Sequence, residues 1–81
     1  MNTGDVMNWL LDRSDSIERK KAIEIHGDTI IQTITFKSGE VYEQTEVYRD
    51  SMHKETFVKI DGDLVFHGSW IYIDYEWRLT A

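Results

Sequence analysis

Residues 70–79 read WIYIDYEWRL, with large apolar or aromatic side chains on both faces of the single strand this stretch predicts. Side chains alternate along a strand, so one row holds Ile71, Ile73, Tyr75, Trp77 and Leu79, and the other Trp70, Tyr72, Asp74, Glu76 and Arg78. The first row is almost continuously apolar and is expected in the core, against a helix. The second is too charged for a core and too aromatic for idle surface. Tryptophan and tyrosine bury much area at small entropic cost and still hydrogen-bond, so this row is expected to hold a partner. If the sheet closes, or a helix covers the Trp70 end, the same rings become ordinary core.

Upstream, the period of two continues. ETFVKI (55–60) and DLVFH (63–67) flank Asp61-Gly62, a dipeptide suited to a type I′ hairpin because both central residues take positive φ. HGS (67–69) is read as a further turn or a glycine bulge. KSGE (37–40) turns the chain at Gly39, HGD (26–28) turns it again, and TIIQTITF (29–36) between them groups Ile30, Ile34 and Phe36. Ile17, Ile23 and Ile25 share one side of the preceding run, with Glu18, Lys20, Glu24 and His26 on the other.

Residues 40–54 fit either period. Val41, Thr45, Tyr48 and Met52 form a helical stripe, but β-branched residues lose χ1 freedom in a helix and Gly39 makes a hairpin turn. The reading is a strand through Tyr48 followed by a loop. The N-terminus reads as a helix capped by Thr3, with Asp5 at the positive end of its dipole. Val6, Trp9, Leu10 and Arg13 lie at helical spacing, Met7 and Leu11 alongside, and SDS (14–16) ends the helix. The expected fold is α+β in one domain, 1–81: a short N-terminal helix packed on an antiparallel meander of five or six strands, curled like a partly open small barrel.

Eighty-one residues lie near the lower limit for a single self-sufficient core. With no cysteine, neither a disulfide nor a thiolate zinc site contributes, so packing carries stability, with self-association as a further source. MNTGDVMNWLLDRSD has no basic region and only a short apolar run, so neither a secretion signal nor a membrane span is expected, and the cytoplasm is the expected compartment. Nine Lys and Arg against fifteen Asp and Glu give a net charge of −6. The excess lies in residues 22–81, with eleven acids against five bases. Direct nucleic-acid binding, which needs clustered cations to neutralise phosphates, is therefore not expected.

Chemical signatures are sparse. His26, His53 and His67 lack the spacing that preorganises metal ligands, so they are read as turn histidines and no metal is expected. DGDLVFHGSWIY (61–72) places valine, histidine and tyrosine where a calcium loop needs oxygen ligands. Glu43 and Asp74 are the acids most apt to be half-buried, yet nothing places them together for acid–base work. No phosphate-binding glycine motif or nucleophile elbow occurs, so neither a cofactor nor an enzymatic activity is expected. Arg19-Lys20-Lys21 reads as a solvated strand edge.

The leading expectation is a non-enzymatic protein-binding module, in the manner of an inhibitor, that blocks a basic surface of a larger protein such as a nucleic-acid-binding one. Its partner-binding residues would be Trp70, Tyr72, Asp74 and Glu76, joined by Tyr42, Glu46 and Tyr48 if the Glu40–Tyr48 strand presents them on the same side, with Gln44 between. In composition alone the chain is similar to small phage- or plasmid-encoded counter-defence proteins and immunity proteins. Two alternatives are a self-associating subunit forming a homodimer through its aromatic face, and a small-ligand carrier with a pocket lined by Trp77, Tyr75 and Phe66.

Overall fold

The computed structural model describes residues 1–13 and 19–80. Helix α1 (Thr3–Leu11) precedes six strands, β1 (Arg19–His26), β2 (Thr29–Phe36), β3 (Val41–Tyr48), β4 (His53–Ile60), β5 (Asp63–Ile73) and β6 (Glu76–Leu79). All six form one antiparallel sheet in chain order. The sheet is an open meander, not closed into a barrel. Among the described residues no helix is long and apolar enough to cross a membrane.

The turns follow their residues. Gly27 (φ 59°) opens the β1–β2 turn, Gly39 (φ 91°) closes the β2–β3 loop, and Asp61 and Gly62 (φ 52° and 86°) make the expected type I′ hairpin. The strand expected through Tyr48 ends there, and residues 49–52 connect it to β4.

The C-terminal stretch departs from its reading as one strand. It is a β5–β6 hairpin that turns at Asp74 and Tyr75, both at positive φ (54° and 66°). A two-residue turn places Ile73 opposite Glu76 and Tyr72 opposite Trp77, so each pair shares a face. Both expected rows are therefore cut and exchanged at the turn. Trp70, Tyr72, Trp77 and Leu79 lie together on one face, and Ile71, Ile73, Glu76 and Arg78 on the other. Tyr75, expected in the core, stands at the tip and is 95 % exposed, and Asp74, expected half-buried, is exposed beside it.

HGS is neither a turn nor a bulge, because β5 runs unbroken through it. The register slip lies nearer the hairpin, between Val58 and Lys59, where the pairing skips Val65. Gly68 is required for another reason: a Cβ there would lie 2.7 Å from both Leu79 Cδ1 and Phe66 Cζ.

The helix begins one residue earlier than expected. Asn2, not Thr3, is the N-cap; its side chain accepts from Asp5 N–H at 2.8 Å and Asp5 accepts from Asn2 N–H at 2.9 Å, a reciprocal capping box. The helix ends at Leu11 with Asp12 as C-cap, so the expected stop at SDS, like Ile17 and Glu18, lies outside the described residues. Val6, Trp9 and Leu10 pack on Ile34, Phe36, Tyr42 and Val58, with Ile60, Val65 and Phe66 around them. Trp9 meets Phe36 edge-on at 5.5 Å and stacks on Tyr42 at 6.0 Å.

The helix is fastened at both ends. The Met1 ammonium donates to Val65 O at 3.0 Å, and Arg13 donates to Glu40 through Nε (3.0 Å) and Nη2 (2.8 Å). Arg13 also lies 3.7 Å over the Trp9 ring. Thus α1 lies across β5 to β2 at the end of the sheet that carries the β2–β3 and β4–β5 turns, and its apolar stripe covers only that half of the face.

Candidate functional site

Beyond the helix, the same sheet face continues toward the other end, where the turns at 27–28, 49–52 and 74–75 lie side by side. Asp28 O accepts from Tyr48 N–H (2.9 Å) at the end of β3, and Met52 O accepts from Tyr72 N–H (2.8 Å) near the end of β5. This distal half holds Gln44, Glu46 and Tyr48 on β3, Lys54 and Thr56 on β4, Trp70 and Tyr72 on β5, and Trp77 on β6.

Alternate residues of β3 form a relay along its surface. Tyr42 Oη donates to Gln44 Oε1 (2.8 Å), Gln44 Nε2 to Glu46 Oε1 (3.0 Å), and Tyr48 Oη to Glu46 Oε2 (2.9 Å). Burial raises the pKa of both phenols, and the Glu46 charge adds to this, so both hydroxyls keep their protons and act as donors. Lys54 Nζ lies 3.7 Å from Glu46 Oε2 and is enclosed by rings, 4.6 Å from the Trp77 centroid, 5.8 Å from Tyr48 and 5.9 Å from Trp70. Trp77 meets Tyr72 edge-on at 5.3 Å and Tyr48 at 6.0 Å. The Lys54 side chain is 13 % exposed, so its charge is balanced by Glu46 and the ring faces more than by water.

Between this cluster and α1 lies an open-sided cavity of about 300 Å³. Val6, Met7 and Leu10 line its helix side, Val58 and Phe66 its floor, and Lys54, Trp70 and Trp77 its far end. The Trp70 Nε1–H is buried without a hydrogen-bond partner.

The seven sequence-predicted partner residues are thus divided. Tyr42, Glu46, Tyr48, Trp70 and Tyr72 share the helix-side face, but Tyr42 is 1 % exposed beneath Trp9 and is core, a correction that follows from the helix crossing that end of β3. Trp70 is partly buried and Tyr72 is at the margin of exposure. Asp74 is in the turn, and Glu76 projects from the opposite face, where Arg78 donates to it at 3.0 Å. Trp77 and Lys54, absent from that set, are central to the cluster. Parity across a two-residue turn would have found Trp77, since reading 74–75 as a hairpin makes its face uniformly apolar.

The histidines sit apart. His26 pairs with Glu24, His53 with Asp50, and His67 with Glu55 while stacking on Phe57 at 4.5 Å. Among the described residues no three His, Asp or Glu gather as metal ligands. Glu43 and Asp74 remain apart, Glu43 on β3 opposite Lys59 and Asp74 at the hairpin tip. Of the carrier-pocket residues, Trp77 and Phe66 line the cavity; Tyr75, at the hairpin tip, does not. Comparison with protein-family models, curated proteins and solved structures returns no match.

Proposed function

We propose that the protein is a non-enzymatic binding module that docks the distal end of its sheet onto a cationic surface of a larger protein. One observation carries the reading: Tyr75 is held fully exposed in a left-handed backbone conformation that costs a bulky residue about 1–2 kcal/mol relative to the right-handed one. Strain of this kind persists where a position serves something other than stability. Around the tip lie exposed Tyr72, Ile73 and Met52, interleaved with Asp50, Asp74 and Glu76. Aromatic and apolar anchors framed by anions suit a cationic partner, and the net charge of −6 steers the encounter.

The test is retention of proteins on the immobilised chain at about 50 mM and about 500 mM salt, for the wild type and for Tyr75→Ala. The reading requires a protein held by the wild type at low salt, released at high salt, and lost from the variant. Retention that ignores both salt and the variant rejects it.

Strand β1 favours a second reading, a homodimer. Ile23 and Ile25 are 58 % and 69 % exposed on the helix-side face. Because His26 and Thr29 flank a two-residue turn, the backbone groups of Lys21, Ile23 and Ile25 point away from β2 along an edge that pairs with no other strand among the described residues. A second copy pairing there extends both sheets and covers the isoleucines. Light scattering across a hundredfold concentration range distinguishes the two, since only this reading needs a mass that doubles and reverts in Ile23→Lys.

A further inference from the structure

The cavity beside α1 carries an inference independent of the docking end. Along β4 its lining runs from Val58, 2 % exposed beneath the helix, through Thr56 to Lys54, so the floor passes from apolar to charged. Thr56 is itself only 7 % exposed, yet its hydroxyl makes no hydrogen bond to any described residue. Unlike the Trp70 Nε1–H it is not sealed off, and the cavity it lines is what reaches it. A valine of the same shape would avoid the unpaired hydroxyl, so stability does not account for a threonine here. Directly opposite on β3, Glu46 accepts one bond at each carboxylate oxygen, from Gln44 and Tyr48, and keeps a further lone pair on each.

We propose that this cavity binds a small, neutral, apolar molecule ending in a hydroxyl, its chain against Met7, Leu10 and Phe66 and its oxygen between Thr56 Oγ1 and Glu46. The ligand hydroxyl accepts from Thr56 and donates to Glu46, a pairing that a group able only to accept or only to donate does not complete. Charge selects the neutral form. Lys54 Nζ lies 3.7 Å from Glu46 Oε2, so a cationic head group would face the Lys54 ammonium and an anionic one the Glu46 carboxylate. A cavity of about 300 Å³ lies at the small end of ligand sites and holds on the order of ten heavy atoms at protein packing density, which favours the smallest group that both donates and accepts. Met7, which lines the cavity, is 57 % exposed, so entry needs no rearrangement of the core.

The probe is 1-octanol, compared with its isomer 1-methoxyheptane, which keeps an acceptor oxygen on an alkyl chain but has no hydroxyl proton. Binding is followed by amide and methyl NMR shifts of labelled protein, and nuclear Overhauser contacts to the Met7 and Val58 methyls fix its location. The expected result is saturable octanol binding at the cavity, with the ether, octanoate and octylammonium each weaker by about tenfold or more, the worth of one hydrogen bond. Thr56→Val keeps the shape of the side chain and is expected to leave Tm unchanged or raised while bringing octanol affinity down to that of the ether. The proposal is overturned if octanol makes no saturable contact at this site, if the ether or either ion binds as tightly, or if Thr56→Val retains the preference for the alcohol.

Discussion

Tyr75 occupies in the β5–β6 hairpin the turn position that Gly62 occupies in the β4–β5 hairpin, at φ 66° against 86°. Both turns open with Asp and both are two residues long, so they differ chiefly in that second residue. Glycine reaches this conformation without a Cβ penalty and loses more freedom on folding, which offsets part of the gain. Tyr75→Gly is therefore expected to stabilise the protein by about 1 kcal/mol, raising Tm by several degrees in a domain of this size. A thermal melt that falls instead means the ring supports the fold.

The uneven core predicts an uneven response to truncation. Val58 is 2 % exposed beneath the helix, and Val58→Ala is expected to cost about 2 kcal/mol. Ile25→Ala, an apolar truncation of comparable kind on the open part of the same face, is expected to change monomer stability by less than about 0.5 kcal/mol. Urea unfolding at low protein concentration measures both, and a large cost at Ile25 means that something covers β1.

Gly68 lies in the middle of β5, and its missing side chain is what lets Phe66 and Leu79 close over it. Leu79 is partly exposed and able to move aside, whereas Phe66 packs against the core. Gly68→Ala is expected to cost about 1–3 kcal/mol through overpacking and to loosen β6 first. A larger increase in amide exchange at Arg78 and Thr80, whose N–H groups face β5, than at Val58 checks the second part.

Acid is expected to destabilise the fold through three surface carboxylates. Hydrogen bonds from Arg13 lower the pKa of Glu40, the Met52 N–H and His53 lower that of Asp50, and Arg49 lowers that of Glu55. A carboxylate held below its unfolded pKa stabilises the native state above that pKa and loses the contribution as pH falls through the folded value. Tm is thus expected to be steady from about pH 7 to pH 5 and to drop below about pH 4. Glu40→Gln removes one of these groups and is expected to make the acid limb shallower. A limb of unchanged slope assigns no role to the Arg13–Glu40 pair.

Much of the sheet was legible because its turns are marked by glycine at 27, 39 and 62, and the helix because Val6, Trp9 and Leu10 repeat at its period. The last hairpin was hidden because Asp74-Tyr75 lacks that mark and because hydrophobicity runs through the turn without a break. An uninterrupted strand separates residues that a two-residue turn keeps on one face, so Trp77 and Leu79 fall on the expected helix side while Ile71 and Ile73, before the turn, exchange faces with Trp70 and Tyr72. Tyr42 was misplaced for another reason. Alternation groups it correctly with Gln44, Glu46 and Tyr48, but which part of that row a helix covers depends on how α1 lies across the strands, and the Arg13–Glu40 and Met1–Val65 contacts that set this join residues far apart in sequence.

Because each strand pairs only with its neighbours in the chain, the sheet has low contact order for a β protein and is able to assemble as a zipper, hairpin upon hairpin. The helix stands outside that scheme. Its amino end closes a loop of 64 residues onto Val65, so α1 docks last, onto a sheet whose central strands are already paired. A nascent chain would therefore carry a bare aromatic sheet face until the β5 segment is made, and that interval is when the molecule is most vulnerable to aggregation.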